Sequence, residues 1–317
     1  MMLTRQRGFP RVMVVGALTS LAVLAVACSS NSATPTTTGA PSTTATTVAL
    51  PTATIPVQPA NAAISATVPA SVKSKGTLTV ALDATYPPDE FIAPDGSTIV
   101  GMDADLSAAI TQVLGLKVKL VNATFSTIIP GIGSKYDMGA SSFTDNKTRE
   151  KVVSFVDYFT AGEGYYVKAG SPTTFNGLAT LCGHTVAVES GTTEQTDAQT
   201  QAKVCTTAGK GAVTVLTFSN QSQGNLAVSS GRAEVGFADS QVAAYIVASS
   251  NGVFQSSGKA FNVVPYGLAL PKANGMAAPV QSAVSLLLGN GVYGQILAKW
   301  GLQAGGVTSS TINGAVS

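Results

Sequence analysis

From residue 76 onward, apolar runs of strand length alternate with segments whose apolar residues recur at helical spacing. That alternation confines the folded part to an α/β architecture, because all-β and helical-bundle folds keep one period throughout. Residues 76–82 (Gly-Thr-Leu-Thr-Val-Ala-Leu) read as a buried strand. Leu106, Ala109, Ile110, Val113 and Leu114 then fall at i, i+3, i+4, i+7 and i+8, one face of a helix. Residues 117–121 form a second strand, followed by strand 185–188, helix 193–203, strand 213–216, helix 221–230, strand 235–238 and helix 240–249. This spacing predicts parallel strand pairing. The C-terminal part reads as helical, with Val280, Val284, Leu287 and Leu288 on one side, then Tyr293, Ile296, Leu297 and Trp300. Roughly 240 residues of such pattern exceed what one sheet uses, so two lobes are expected.

The other end of the chain is different. Arg5, Arg7 and Arg11 form a basic start, residues 12–27 an uncharged and mostly apolar run, and Ala25-Val26-Ala27 precede Cys28. This is the pattern of a signal peptide, whose core is too short to span a bilayer comfortably. The cysteine at the cleavage point resembles a bacterial lipobox, which implies a lipid on Cys28 of the mature chain. The usual Leu three places before the cysteine is Ala25 here, with Leu24 one position further back. Residues 29–72 carry no charge and are dominated by Thr, Ser, Ala and Pro. Pro35, Pro41, Pro51, Pro56, Pro59 and Pro69 disfavour regular structure, so 28–75 is expected to be a lipid-anchored disordered stalk.

These ends explain the charge balance. Only 11% of the 317 residues are charged, and the formal net charge is +2. Removal of residues 1–27 leaves 15 basic and 16 acidic side chains, a near-neutral chain that offers no basic face for nucleic acid. With His184 as its one histidine and three cysteines, the chain cannot assemble a His/Cys metal cluster, and no cofactor motif is present. Gly-x-Ser-x-Gly and Walker A loops are missing, and Ser256-x-x-Lys259 has no companion Lys-Thr-Gly. With Cys28 taken by lipid, Cys182 and Cys205 remain as an even pair in an oxidising location. A disulfide is the expectation, and two buried thiols the alternative.

Six segments in order resemble the family-3 extracellular solute-binding proteins of ABC importers. They are residues 83–91 (Asp-Ala-Thr-Tyr-Pro-Pro-Asp-Glu-Phe), 101–106 (Gly-Met-Asp-Ala-Asp-Leu), 141–149 (Ser-Ser-Phe-Thr-Asp-Asn-Lys-Thr-Arg), 186–193 (Val-Ala-Val-Glu-Ser-Gly-Thr-Thr), 230–239 and 290–301. The resemblance implies a two-lobed periplasmic-binding-protein-like fold of type II, α/β, each lobe a mixed sheet flanked by helices and joined by two crossover strands. Lobe 1 would comprise 76–167 and 266–317, and lobe 2 168–265, with residues 263–270 as the return crossover. Met102, Ala104 and Asp89 depart from the family's usual apolar and aromatic positions.

The resemblance also implies a site. Arg149 would clamp an amino acid's carboxylate, as a planar guanidinium does with two parallel hydrogen bonds. Ser142 and Thr144 would assist it, and Thr193, at a helix N-terminus, would hold the same carboxylate from the opposite lobe. Asp239 would bind the ammonium group, while Tyr86 and Phe125 wall the side-chain pocket. Asp83 and Glu189 add carboxylates that suit a basic side chain, with an amide remaining open. Asp103 and Asp105 read as helix-start residues and Arg232 as a solvated surface residue. The implied partners are a free amino acid, the transmembrane subunits of an ABC permease, and the membrane through the N-terminal lipid, with the head a monomer. A dehydratase of the cyclohexadienyl or arogenate type on the same fold, and a ligand-binding sensor, are the alternatives.

Overall fold

The computed structural model describes residues 49–316. The expected signal peptide 1–27, Cys28 and the stalk as far as residue 48 lie outside the described residues.

The expected stalk does not extend to residue 75. Two short helices, α1 (Ala62–Thr67) and α2 (Ala70–Lys75), form in it, with Pro69 at the N-cap of the second. Asn61 caps α1 by accepting from the Ile64 N–H at 3.1 Å, and its own N–H donates to the Val113 carbonyl. Val68 and Val72 are buried in the main core, and Leu50, Ile55 and Ile64 pack against it. Gln58 accepts from Asn290 at 3.0 Å, and its backbone N–H donates to Gln112. The segment is a strap. Its few apolar side chains suffice because they add to an existing core and need not build one.

Lobe 1 begins with β1 (Thr77–Leu82), whose pattern of exposure ends in three buried residues. A small antiparallel sheet follows from β2 (Thr85–Tyr86), β3 (Glu90–Ile92) and β4 (Ile99–Val100). Helix α3 (Met102–Val113) buries its apolar face. It leads to β5 (Lys117–Asn122), then α4 (Phe125–Gly131) and β6 (Met138–Gly139). As expected, β1 pairs parallel with both β5 and β6.

A single strand, β7 (Val153–Lys168), carries the chain into lobe 2. There β8 (Thr185–Glu189), α5 (Thr193–Thr207), β9 (Thr214–Phe218), α6 (Gln221–Ser229), β10 (Val235–Asp239) and α7 (Ser240–Ser249) repeat the alternation. The return is β11 (Phe254–Pro271), longer than the expected 263–270, and lobe 1 closes with α8 (Ala277–Gly289) and α9 (Val292–Trp300). The strand order β5-β1-β6-β11-β7-β10-β8-β9 makes one mixed sheet, in which β7 and β11 are antiparallel.

The boundary between lobes falls inside these two strands. From Val153 to Asp157, β7 pairs with the end of β11, and from Glu163 to Val167 it also pairs with β10. The expected boundaries at 167/168 and 265/266 fall within β7 and β11 respectively. β11 carries register shifts between Ser257 and Phe261, Phe261 and Val264, and Tyr266 and Gly267. Bulges of this kind bend a strand and increase its twist. The C-terminal tail covers the edge of β7 that lobe 1 leaves open, through bridges Val156–Ile312 and Phe159–Gly306. In lobe 2, Cys182 and Cys205 are paired as a disulfide, with Cα atoms 5.5 Å apart.

Candidate functional site

The C-terminal ends of β1 and β10 and the N-terminus of α5 face one another across the gap between lobes, where open α/β sheets place ligand groups. All nine expected contact residues line one pocket there: Asp83, Tyr86, Phe125, Ser142, Thr144, Arg149, Glu189, Thr193 and Asp239. Glu90, Ser141, Thr192 and Glu194 line it as well, and sequence reasoning missed them. The inner pocket is tight, with a free volume of about 10 Å³, and it adjoins an outer hollow of about 660 Å³ that shares Thr144, Arg149, Thr193 and Asp239. The inner space is what one water needs, so an amino acid enters only if the lobes part.

The lobes meet through specific contacts. Tyr86, from lobe 1, donates its hydroxyl to Asp239 Oδ2 at 2.8 Å and accepts the Asp239 backbone N–H at 2.9 Å. Gln241 Nε2, at the start of α7, donates to Asp89 Oδ2 at 2.7 Å and to the Tyr266 hydroxyl at 2.8 Å. Thr144 Oγ1 lies 3.3 Å from Thr193 Oγ1. Arg149 donates through Nη1 to the Thr144 carbonyl and through Nη2 to the Gly191 carbonyl of the other lobe, each at 2.9 Å. Its guanidinium also lies 5.6 Å from the ring centres of Phe125 and Phe143, which stack on each other.

Each element presents its side chain for a local reason. Arg149 opens a short 3-10 turn held by Asn146, whose Oδ1 accepts the Arg149 N–H at 2.8 Å. Thr192 caps α5 by accepting from the Gln195 N–H, and Gln195 Oε1 accepts the Gly191 N–H at 2.8 Å, an arrangement close to a capping box. Ser142 adopts φ 49°, and Asp103 Oδ2 accepts its N–H at 2.9 Å. Asp103 is therefore more than the helix-start residue expected, since it shapes the binding loop. Asp105 accepts from Trp300 Nε1 and Lys299 and ties α3 to α9 away from the pocket. Asp89 holds Ser142 Oγ at 2.8 Å. Arg232 is exposed, with its guanidinium 5.3 Å from the Phe218 ring centre.

The pocket is acidic. Asp83, Glu90, Glu189, Glu194 and Asp239 are all buried, against Arg149 as the one cationic lining residue. Asp83 already uses both oxygens, accepting Thr85 Oγ1 at 2.7 Å and the Phe125 N–H at 2.9 Å. Glu90 accepts from Ser141 Oγ at 2.7 Å. Glu189 Oε1 and Glu194 Oε1, in contrast, have no partner among the described residues. Burial raises Glu189 well above the usual carboxylate range, and the nearby Asp83 adds to the shift. Burial and then Asp239 do the same to Glu194. Asp239 is pushed up to about 7, chiefly by burial and against the Tyr266 and Tyr86 hydroxyls that stabilise its charge. Burial also lowers the pKa of Arg149. Among the described residues no group of three or more His, Cys, Asp or Glu is arranged for a metal ion.

Gly191 is a point of close approach. Its φ is 88°, and a Cβ there would come within 3.0 Å of the Ser126 Cα on the facing lobe. Gly191→Ala is expected to oppose closure at a cost of about 1–3 kcal/mol, the range for forced overpacking. Ligand affinity measured by calorimetry should fall by about 5- to 100-fold at an unchanged fold, and unchanged affinity would show that the lobes do not close on this contact.

Residues 78–303 match the family model of bacterial extracellular solute-binding proteins, family 3. The arginine-binding protein ArgT of Corynebacterium glutamicum is 32% identical over 252 residues, spanning 79% of this chain and 82% of that protein. Among solved structures, a mutant of ArgBP from T. maritima gives a TM-score of 0.67 at 32% identity, over 73% of this chain and 97% of the other. The ancestral amino acid-binding protein AncCDT-1, a precursor of cyclohexadienyl dehydratase, gives 0.65 at 30% identity over the same shares. The fold, the cleft and the extent of these matches agree: the chain belongs to the bacterial extracellular solute-binding proteins, family 3.

Proposed function

We propose that this chain is the substrate-binding component of an ABC importer and that its ligand is a cationic amino acid of the arginine type. The observation that carries the choice of ligand is the pair of unpartnered buried carboxyl oxygens, Glu189 Oε1 and Glu194 Oε1, in a pocket of five acids and one arginine. Buried polar atoms without partners are rare in folded proteins, and a cationic ligand supplies what these lack. The arginine-binding name of the Corynebacterium relative supports the same reading.

In this reading Arg149 takes the ligand carboxylate with its remaining N–H groups, helped by Ser142, Thr144 and Thr193. Asp239 takes the ammonium group, Tyr86 and Phe125 wall the aliphatic stem, and Glu189 with Asp83 receives the distal cation. A ligand held from both lobes favours the closed form by the difference in its contacts between the two states. A permease would recognise that closed form. Glu189 or Asp83 would supply the proton-transfer acid of a dehydratase on this fold, a reading that the likeness to AncCDT-1 brings to test. Turnover of prephenate or arogenate by the purified chain would establish it.

A thermal-shift panel of the twenty amino acids with ornithine and citrulline tests the binding reading. Arginine, lysine or ornithine should raise the melting temperature most, since only native-state ligands do so. Arg149→Ala and Asp239→Ala should each lose about 3–5 kcal/mol of binding, and Glu189→Gln should shift preference toward amides. A flat panel would sink the assignment.

Proton linkage gives a second test. The ligand's ammonium favours ionised Asp239, so binding expels a proton wherever Asp239 is protonated, below about pH 7. The Asp239 contribution should therefore weaken affinity as the pH falls below about 7, by up to about tenfold per pH unit for each proton released. Affinity that strengthens on acidification would exclude Asp239 as the ammonium partner.

The family's extracellular setting supports export, with residues 1–27 removed, lipid on Cys28 and the Cys182–Cys205 bridge retained. Intact-mass measurement of the native chain, with and without reduction, should show a lipid-sized addition on a chain starting at Cys28 and a gain of about 2 Da on reduction. A mature chain without lipid would exclude the anchor.

A further inference from the structure

A second group of buried acids lies outside the pocket, where the binding loop, the return strand and the C-terminal tail meet. Asp145 follows Thr144 in the binding loop. It is 1% exposed, and neither of its carboxyl oxygens has a partner among the described residues. Asp157, on β7, is 4% exposed, and its Oδ1 is also unpartnered. The two converge at the kink of β11. The Asp145 N–H donates to the Pro265 carbonyl at 2.9 Å, and Asp157 is the β7 partner of Gly267, at the register shift after Tyr266. The tail grips Asp157 from outside. Thr311 Oγ1 donates to Asp157 Oδ2 and Ser310 Oγ to the Asp157 carbonyl, each at 2.6 Å, and the Asp157 N–H donates to the Thr311 carbonyl at 2.9 Å.

Two bare carboxylates in such a place repel strongly, whereas one proton between them turns repulsion into a hydrogen bond. We propose that Asp145 and Asp157 share one proton, and that this bond, braced by the C-terminal tail, positions the loop carrying Thr144 and Arg149. Burial first, then the charge and contact of Asp157, pushes Asp145 up to about 8, and burial raises Asp157. The other charged or titratable groups acting on the pair are Glu150 and Arg149. Glu150 adds to the repulsion on Asp145, but its carboxylate also accepts from Lys147 at 3.1 Å and Lys272 Nζ donates to its backbone carbonyl. Arg149 draws the opposite way, since Asp145 favours its charged form. Buried carboxylate oxygens without partners are also what a bound cation would leave, so the test includes that outcome.

The pair is a positioning device for the binding site, and only its effect on affinity rests on the proposed function. The sign of its pH dependence follows from the raised pKa of Asp145. The native state keeps a proton that the unfolded chain releases above its ordinary value near 3.8. The stability contributed is full below that value, declines as the pH rises, and levels off above about 8.

Melting of the ligand-free chain is measured from pH 4 to 9 for wild type, Asp145→Asn and Asp145→Ala. Asn cannot ionise, and its amide can donate to Asp157 Oδ1. Asp145→Asn should match wild type at low pH and exceed its melting temperature by about 2–4 °C at pH 8. Asp145→Ala should speed hydrogen exchange in 141–149 at pH 7.5, with Asp145→Asn restoring wild-type rates. Arginine affinity should follow the same order, weakened by about 2- to 30-fold in the alanine variant and also reduced by Thr311→Val. Asp145→Asn melting below wild type at pH 8, or exchange unaltered in the alanine variant, overturns the proposal. A wild-type melting temperature that rises with calcium and falls with EDTA overturns it in favour of a bound cation. A wild type that binds no amino acid defeats the transport reading, while melting and exchange still decide the pair.

Discussion

The antiparallel pairing of β7 with β11 is the constraint on which the rest depends. These two strands are the covalent routes between lobes among the described residues, and they pair from Val153–Pro271 at one end to Lys168–Phe254 at the other. Such a ribbon holds the lobes in register while allowing them to bend about it. The irregular positions gather in β11, between Ser257 and Gly267, where the strand passes under the cleft. A bend there would move Glu189, Thr193 and Asp239 together relative to Asp83, Thr144 and Arg149. Hinges made of a few strand residues are a common means of domain closure. The contacts made on closure, Tyr86 with Asp239 and Arg149 with the Gly191 carbonyl, are individually modest. A ligand bridging both lobes therefore has a large effect on which form is populated.

Charge is the basis on which we propose a cationic ligand for the cleft. Burial of Glu189, Glu194 and Asp239 raises all three, so each must hold a proton or meet a positive partner. Arg149 does not neutralise them directly, because the two bonds it makes here go to backbone carbonyls. The bond to Thr144, within its own lobe, orients it before any ligand arrives, with N–H groups to spare. The same arrangement that is costly alone becomes favourable around an ammonium or guanidinium group. Acidic or neutral ligands would leave Glu189 and Glu194 as they are, with no return for closing over them.

Much of this was readable from sequence. The alternation of periods pointed to two lobes, and the resemblance brought nine pocket residues together, eight from four of the six segments and Phe125 from outside them. What escaped it has physical causes. Glu194 occupies the first turn of α5, where acids are favoured by the helix dipole whatever their function, so nothing in sequence distinguished it. Glu90 sits in a three-residue strand, too short to show a period, and its carboxylate turns inward to accept from Ser141. β7 carries no alternation because nearly all of its residues are buried, so its sixteen-residue length left little periodic trace. The strap was misread from composition. Ile64, Val68 and Val72 do recur at i, i+4 and i+8, a helical spacing interrupted only by Pro69, which itself starts the second helix. Proline and a lack of charge argue against an independent core, not against docking on another.

The strap and the tail add a further asymmetry. Both lie outside the 78–303 family match, and both pack on lobe 1: α1 against α8, α2 against β1, and the tail along the free edge of β7. Lobe 2 receives no such addition among the described residues, and is held within itself by the Cys182–Cys205 pair. The tail braces β7 itself beside the loop that carries Thr144 and Arg149, through Val156, Asp157 and Phe159. Affinity in a closing cleft depends on how little order must be imposed when the ligand arrives. A loop held from behind by Asp145, β11 and the tail meets that condition, and the acids of lobe 2 can then move toward a frame already in place.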